Sequence, residues 1–150
     1  MEYAVQMVTA FTGSIGFSIL FNVKKDKILP AAAGGALGWG VYLLVGLFSG
    51  SDVLRYFIAT MVLTFYAEIM ARVKKTPVTI FLVPATIPLI PGGSLYRTMR
   101  YAVALDQEHF ASQGLFTLLL AGAIAVGILS TMTIWKILAR ATKAEIMKKH

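Results

Sequence analysis

The residues best suited to chemistry lie in one short stretch, Pro88-Leu-Ile-Pro91-Gly92-Gly93-Ser94, followed by Tyr96, Arg97 and Arg100. Pro84, Pro88 and Pro91 each remove an amide donor and crowd the carbonyl four residues earlier. The carbonyls of Ile80, Pro84 and Ile87 therefore lose their helical partners. Gly92 and Gly93 add backbone freedom. A helix restarting after this break, with Ser94 as its N-cap, carries Leu95 to about Leu105 and turns its unpaired amides toward an anionic group. Arg97 and Arg100, three residues apart, share a face of that helix. Guanidinium groups grip a carboxylate through paired hydrogen bonds. The chemistry is recognition of a small carboxylate, with Pro88, Pro91, Gly92, Gly93, Ser94, Tyr96, Arg97 and Arg100 as the candidate substrate-binding residues. A proline kink leading into a surface helix whose arginines touch lipid phosphates is the plainer alternative. Three prolines and two glycines ahead of two arginines favour the site.

A second candidate is Glu68. Tyr56, Thr60, Thr64 and Glu68 recur every four residues and form a polar stripe on one apolar segment. A carboxylate within a membrane segment suggests proton or substrate handling. Arg72 follows at the i+4 position in the favourable acid-before-base order, so Glu68 and Arg72 form either a coupling or gating element or a structural ion pair. Asp106, Glu108 and His109 read as a solvated loop.

These residues sit in a chain of 150 residues that is 57% hydrophobic and only 14% charged, with a mean hydropathy of +0.74. A soluble domain of this length needs more polar surface, so the surrounding solvent is lipid. Apolar stretches at about 4–23, 28–48, 53–71 and 113–135 are near the roughly 20 residues that a helix needs to cross hydrocarbon. A fourth, at 77–105, is discontinuous. The expectation is an all-α integral membrane protein of about five transmembrane helices, the fourth broken by proline and glycine. It forms a single transmembrane domain with a polar tail at 136–150. The first stretch lacks a basic region before it and is too long for a signal peptide, so it is a permanent helix.

The net charge of +7 is topological. With the amino terminus outside and five crossings, Lys24, Lys25, Lys27, Arg72, Lys74, Lys75, Lys136, Arg140, Lys143, Lys148 and Lys149 are cytoplasmic, eleven of the fourteen basic residues. Only Arg55, Arg97 and Arg100 lie elsewhere. This distribution predicts an N-out, C-in arrangement. The second stretch carries Gly34, Gly35, Gly38 and Gly40 among alanines, and the fifth carries Ala123 and Gly127, small residues that let helices approach closely in lipid. Trp39, Tyr42 and Trp135 read as packing or interface aromatics.

No catalytic or cofactor fingerprint occurs. There is no cysteine, and neither His109 nor His150 has a partner at metal-ligand spacing. No enzyme, cofactor or metal is expected. Nucleic acid is not an expected partner, because the basic residues form no groove with interleaved aromatics.

The run Tyr66-Ala-Glu68-Ile-Met-Ala71-Arg72, then Lys75-Thr-Pro77, then Pro88-Leu-Ile-Pro91-Gly92-Gly93, then Tyr96-Arg97-Thr-Met resembles the threonine/serine exporter (ThrE) family over essentially the whole chain. The likeness is to the carboxyl-terminal half, as in the small subunit of the split two-subunit form. It implies a multi-pass exporter of the bacterial inner membrane that carries threonine and serine, or succinate in the split form. It also implies proton-motive-force coupling and a larger multi-spanning partner subunit, and it carries over Glu68, Arg72, Pro77, Pro88, Pro91, Gly92, Gly93, Tyr96 and Arg97 as motif positions. The lipid bilayer, a small carboxylate substrate and a further copy of the chain complete the expected partners. The alternative function is a non-transporting scaffold that stabilises a partner transporter.

Overall fold

The computed structural model describes the backbone of residues 2–148 and the side chains of residues 2–139. Helices α1 (Glu2–Leu20), α2 (Lys25–Phe48), α3 (Asp52–Val73), α4 (Thr79–Thr86), α5 (Gly92–Val103) and α6 (Gln107–Lys148) follow one another, with a short 3-10 turn at Ile87–Leu89. The fold is all-helical among the described residues. Four helices are long and apolar enough to cross a membrane, and the bent pair Thr79–Leu89 and Gly92–Val103 makes a fifth if it counts as one span. Large apolar side chains such as Leu20, Phe48 and Leu118 face outward, a surface suited to hydrocarbon and not to water.

The helix ends show why the chain turns where it does. After α1, Asn22 takes a left-handed conformation while Val23 N–H bonds to Ser18 and Asn22 N–H to Ile19. This is the Schellman closure, which satisfies carbonyls that the helix leaves open. Lys75 after α3 and Leu105 after α5 adopt the same left-handed turn with the same bond pattern. Ser51 caps α3 through Leu54 N–H. Arg55, one turn later, donates to the carbonyls of Ser49 (3.0 and 3.1 Å) and Gly46 (3.4 Å). A single cation thus closes the end of α2, where the helix dipole is negative.

The last helix starts earlier than the apolar pattern suggests. Glu108 and His109 are not loop residues: they lie in the first turn of α6. Asp106 precedes that turn and accepts from His109 N–H at 3.2 Å and pairs with its ring. The side-chain bond from His109, then the one from its amide, holds the Asp106 carboxyl below the usual carboxylate range. Asp106 is an N-cap. Helix α6 then runs unbroken past Trp135 into the segment read as a tail. The side chains of Arg140, Lys143, Glu145, Lys148, Lys149 and His150 lie outside the described residues.

Helix α3 is the centre of the bundle. It packs against α2, α4 and α6, whereas α1 packs mainly on α2 and α5 on α6. Its stripe of Tyr56, Thr60, Thr64 and Glu68 is buried. Thr60 and Thr64 bond back to the carbonyls of Tyr56 (2.8 Å) and Thr60 (2.7 Å), so these hydroxyls enter the core already satisfied. Glycines set the helix spacing. Gly38 of α2 lies against Leu63 and Leu89. An added methyl at Gly127 of α6 would collide with the Thr60 hydroxyl and come within 2.8 Å of the Phe57 carbonyl. Gly127→Ala is therefore expected to lower the thermal stability of the detergent-solubilised chain by about 1–3 kcal/mol. Gly122→Ala, where a methyl meets nothing within 4 Å, is the matched control and should leave it unchanged. Equal melting curves for the two would refute close α3–α6 contact.

Candidate functional site

The broken fourth segment is assembled in steps. Pro77 precedes α4, and Pro84 lies inside it. Ile87–Leu89 tightens into 3-10 geometry, so the Ile87 carbonyl, denied its i+4 donor by Pro91, accepts from Ile90 N–H at 3.1 Å. That carbonyl is satisfied, contrary to the reading from the prolines alone. Pro91 follows with φ −76 and ψ 60, and Gly92 N–H closes onto the Ile90 carbonyl at 2.7 Å. These angles and this bond define an inverse γ-turn. The turn lets α5 begin at Gly92, at a 56° bend. Pro91, not Ser94, occupies the N-cap position, and α5 ends at Val103, ahead of the left-handed Leu105.

Irregular backbone at membrane depth must be enclosed by protein or line a wet cavity. Phe81, Leu82, Pro84, Ala85 and Leu89 are buried, which encloses the α4 side of the break. On the α5 side, Pro91, Gly92, Gly93, Ser94 and Arg97 line a cavity of about 220 Å³ together with Trp39, Tyr42, Asp52, Tyr56, Ile90, Phe116 and Leu120. The cavity has one cation, one anion, two phenols and a helix amino terminus beside the apolar side chains of Ile90, Phe116 and Leu120. It is smaller than the roughly 300–1,000 Å³ of drug-sized pockets and suits a small metabolite.

Ser94 has a second task. Its hydroxyl is buried and lies 2.9 Å from the Thr117 hydroxyl, and Gln113 donates to it at 2.8 Å. Thr98, one turn on, also meets Thr117, at 3.0 Å. This cluster fastens α5 to α6 and fixes the face on which Arg97 stands. Among the described residues Arg97 has no ion pair or hydrogen bond, so its guanidinium is available. Arg100 and Tyr96 do not line the cavity. Arg100 lies 5.2 Å over the ring of its neighbour Tyr101, and Tyr96 is exposed. Pro88 belongs to a separate apolar groove with Ile87, Trp39 and α1.

Glu68 and Arg72 form their own centre. Arg72 donates to the Glu68 carboxylate at 2.7 Å and to its carbonyl at 3.1 Å, and stacks 4.5 Å over Trp135. Glu68 lies twelve residues beyond Tyr56, roughly 18 Å along the helix. The acid and the cavity are therefore at different levels of the bundle.

Asp52 is absent from the residues that motif reasoning singles out, because it falls between the apolar stretches at 28–48 and 53–71. Its signal is positional: an acid in the first turn of a helix whose next turn carries Tyr56. The aromatics also have a fuller role than packing. Trp39 and Tyr42 stack at 5.0 Å, Tyr42 and Tyr56 meet at 4.9 Å, and all three form one wall of the cavity.

A multi-pass helical bundle with a proline-broken span and a mixed-charge cavity defines a membrane transporter type of architecture. Residues 6–134 match the family model described as Threonine/Serine exporter, ThrE, and the chain belongs to that family. No solved structure matches the chain.

Replacing Thr117 with Val removes the hydroxyl that joins Ser94 to Thr98. The expected result is a loss of about 1 kcal/mol in thermal stability. Full stability would mean that the α5–α6 hydroxyl cluster does not hold the two helices together.

Proposed function

We propose that the chain is one subunit of an exporter of small carboxylate-bearing metabolites in the bacterial inner membrane. It works with a larger multi-spanning subunit, draws on the proton motive force, and lies N-out and C-in. The observation that carries this reading is the unpaired Arg97 guanidinium on a cavity walled by the broken span. Arg97 is exposed in the isolated chain, and a cation on a membrane-protein cavity with no counter-charge from its own chain is free to take one from a ligand. Membership of an exporter family names the class of ligand, threonine or serine, and succinate is the dicarboxylate alternative. The distribution of Lys24, Lys25, Lys27, Arg72, Lys74 and Lys75 supports the orientation. The two parts of the fourth segment, roughly 16–18 Å each at 1.5 Å per residue, together suffice for one crossing of the ~30 Å hydrocarbon core.

Efflux of labelled threonine, serine and succinate from cells expressing this chain, with and without its large subunit, tests the reading. Arg97→Ala is expected to lower efflux tenfold or more while the protein stays folded in the membrane. Arg100→Ala, outside the cavity, should retain most of it. Undiminished efflux by Arg97→Ala would remove the site. Loss of subunit assembly instead of flux would turn the chain into a scaffold.

In the same reading Glu68 carries or gates a proton, with Arg72 as its counter-ion. Glu68→Gln should flatten the pH dependence of efflux. An unchanged profile would leave the pair a purely structural link between α3 and the Trp135 face of α6.

A further inference from the structure

The cavity holds an acid that a carboxylate-binding site does not need. We propose that Asp52 recognises the substrate's ammonium group opposite Arg97, so that the cavity selects a zwitterionic amino acid over a dicarboxylate. This rests on the reading of the cavity as the substrate site. Asp52 and Arg97 stand on different helices, α3 and α5, yet line the same space of about 220 Å³. Tyr56 lines the same space.

Asp52 already has one partner. Its Oδ1 takes Arg55 Nη1 at 3.1 Å, and Arg55 is itself pinned by the Ser49 and Gly46 carbonyls. Arg55 does not line the cavity. It therefore acts as a positioning residue that aims the carboxylate. An ionised carboxylate offers about four acceptor sites on two oxygens, and the Asp52 side chain is 40% exposed, so acceptor capacity remains on the cavity side. A small zwitterion can place its carboxylate at Arg97 and its ammonium at Asp52. A dicarboxylate held by Arg97 in so small a space brings its second anion toward Asp52, and like charges at contact distance repel. Tyr42 and Tyr56 stand beside Asp52 in the lining of the same space.

The test is binding to the chain assembled with its large subunit in lipid nanodiscs, with threonine, 3-hydroxybutyrate (which lacks the ammonium) and succinate as probes. The wild type is expected to bind threonine at least about tenfold more tightly than either other probe, the worth of one charge-assisted hydrogen bond. Asp52→Asn, which keeps the shape and a carbonyl acceptor for Arg55, should weaken threonine about tenfold and leave 3-hydroxybutyrate unchanged. Asp52→Glu should restore part of the preference. Equal binding of threonine and 3-hydroxybutyrate by the wild type would overturn the proposal without any variant. So would equal losses for both probes in Asp52→Asn, the mark of a merely structural role. Arg97→Ala separates the two levels. If it abolishes binding while Asp52→Asn leaves the threonine preference intact, only the ammonium role fails. If it changes nothing, or if the wild type binds no probe, the cavity reading fails with it.

Discussion

Hydrocarbon offers no hydrogen bonds, and the rest of this structure follows from how the chain meets that condition between Pro84 and Gly92. Each proline there cancels a helical bond. The protein answers with successively tighter ones: a 3-10 bond from Ile90 to Ile87, then an inverse γ-turn from Gly92 to Ile90. The Ile87 and Ile90 carbonyls are therefore paired through the bend, and buried Phe81, Leu82, Ala85 and Leu89 seal the near side. The cavity lies where the sealing stops. The break contributes Ile90, Pro91, Gly92 and Gly93 to its margin, and α2, α3 and α5 bring the polar side chains.

The central position of α3 is the second consequence of a lipid setting. With little hydrophobic drive between helices, close contact has to come from small residues and from polar groups that bring their own partners. Ala59, Ala67 and Ala71 supply the first, and Thr60 and Thr64, bonded to their own helix, supply the second. Arg55 does similar work at the end of α2, where it satisfies carbonyls that no amide reaches. The same side chain orients Asp52, so a helix end and a cavity wall share one guanidinium.

Much of this was legible in the sequence. Hydropathy marked the long helices, and the spacing of Pro84, Pro88 and Pro91 marked the break. The glycines of α2 and Gly127 of α6 marked the close contacts. The family resemblance was carried by residues that the family model also spans. What escaped was tertiary in origin. Ser94 reads as an N-cap because serine favours that position, but Pro91 starts the helix sooner, and the hydroxyl turns to Thr117 instead. Asp106 to His109 reads as a loop because it is polar, yet one aspartate cap extends α6 through it. Arg97 and Arg100 look equivalent by spacing. Only the packing of α5 on α6 decides which of them meets the cavity. Asp52 and the Trp39–Tyr42–Tyr56 wall are separated from Arg97 by forty residues or more, and no local pattern connects them.

The cavity is built from two bodies. Trp39, Tyr42, Asp52 and Tyr56 belong to α2 and α3. Gly92, Ser94 and Arg97 belong to α5, fastened by its hydroxyls to α6, which supplies Phe116 and Leu120. The two bodies meet along the α3–α6 seam, where Gly127 rests on Thr60. A molecule gripped by both walls is a brace across that seam. Filling the cavity and holding the seam shut are then one equilibrium: whatever pries the two helix pairs apart also weakens the hold on the molecule between them, by the same free energy.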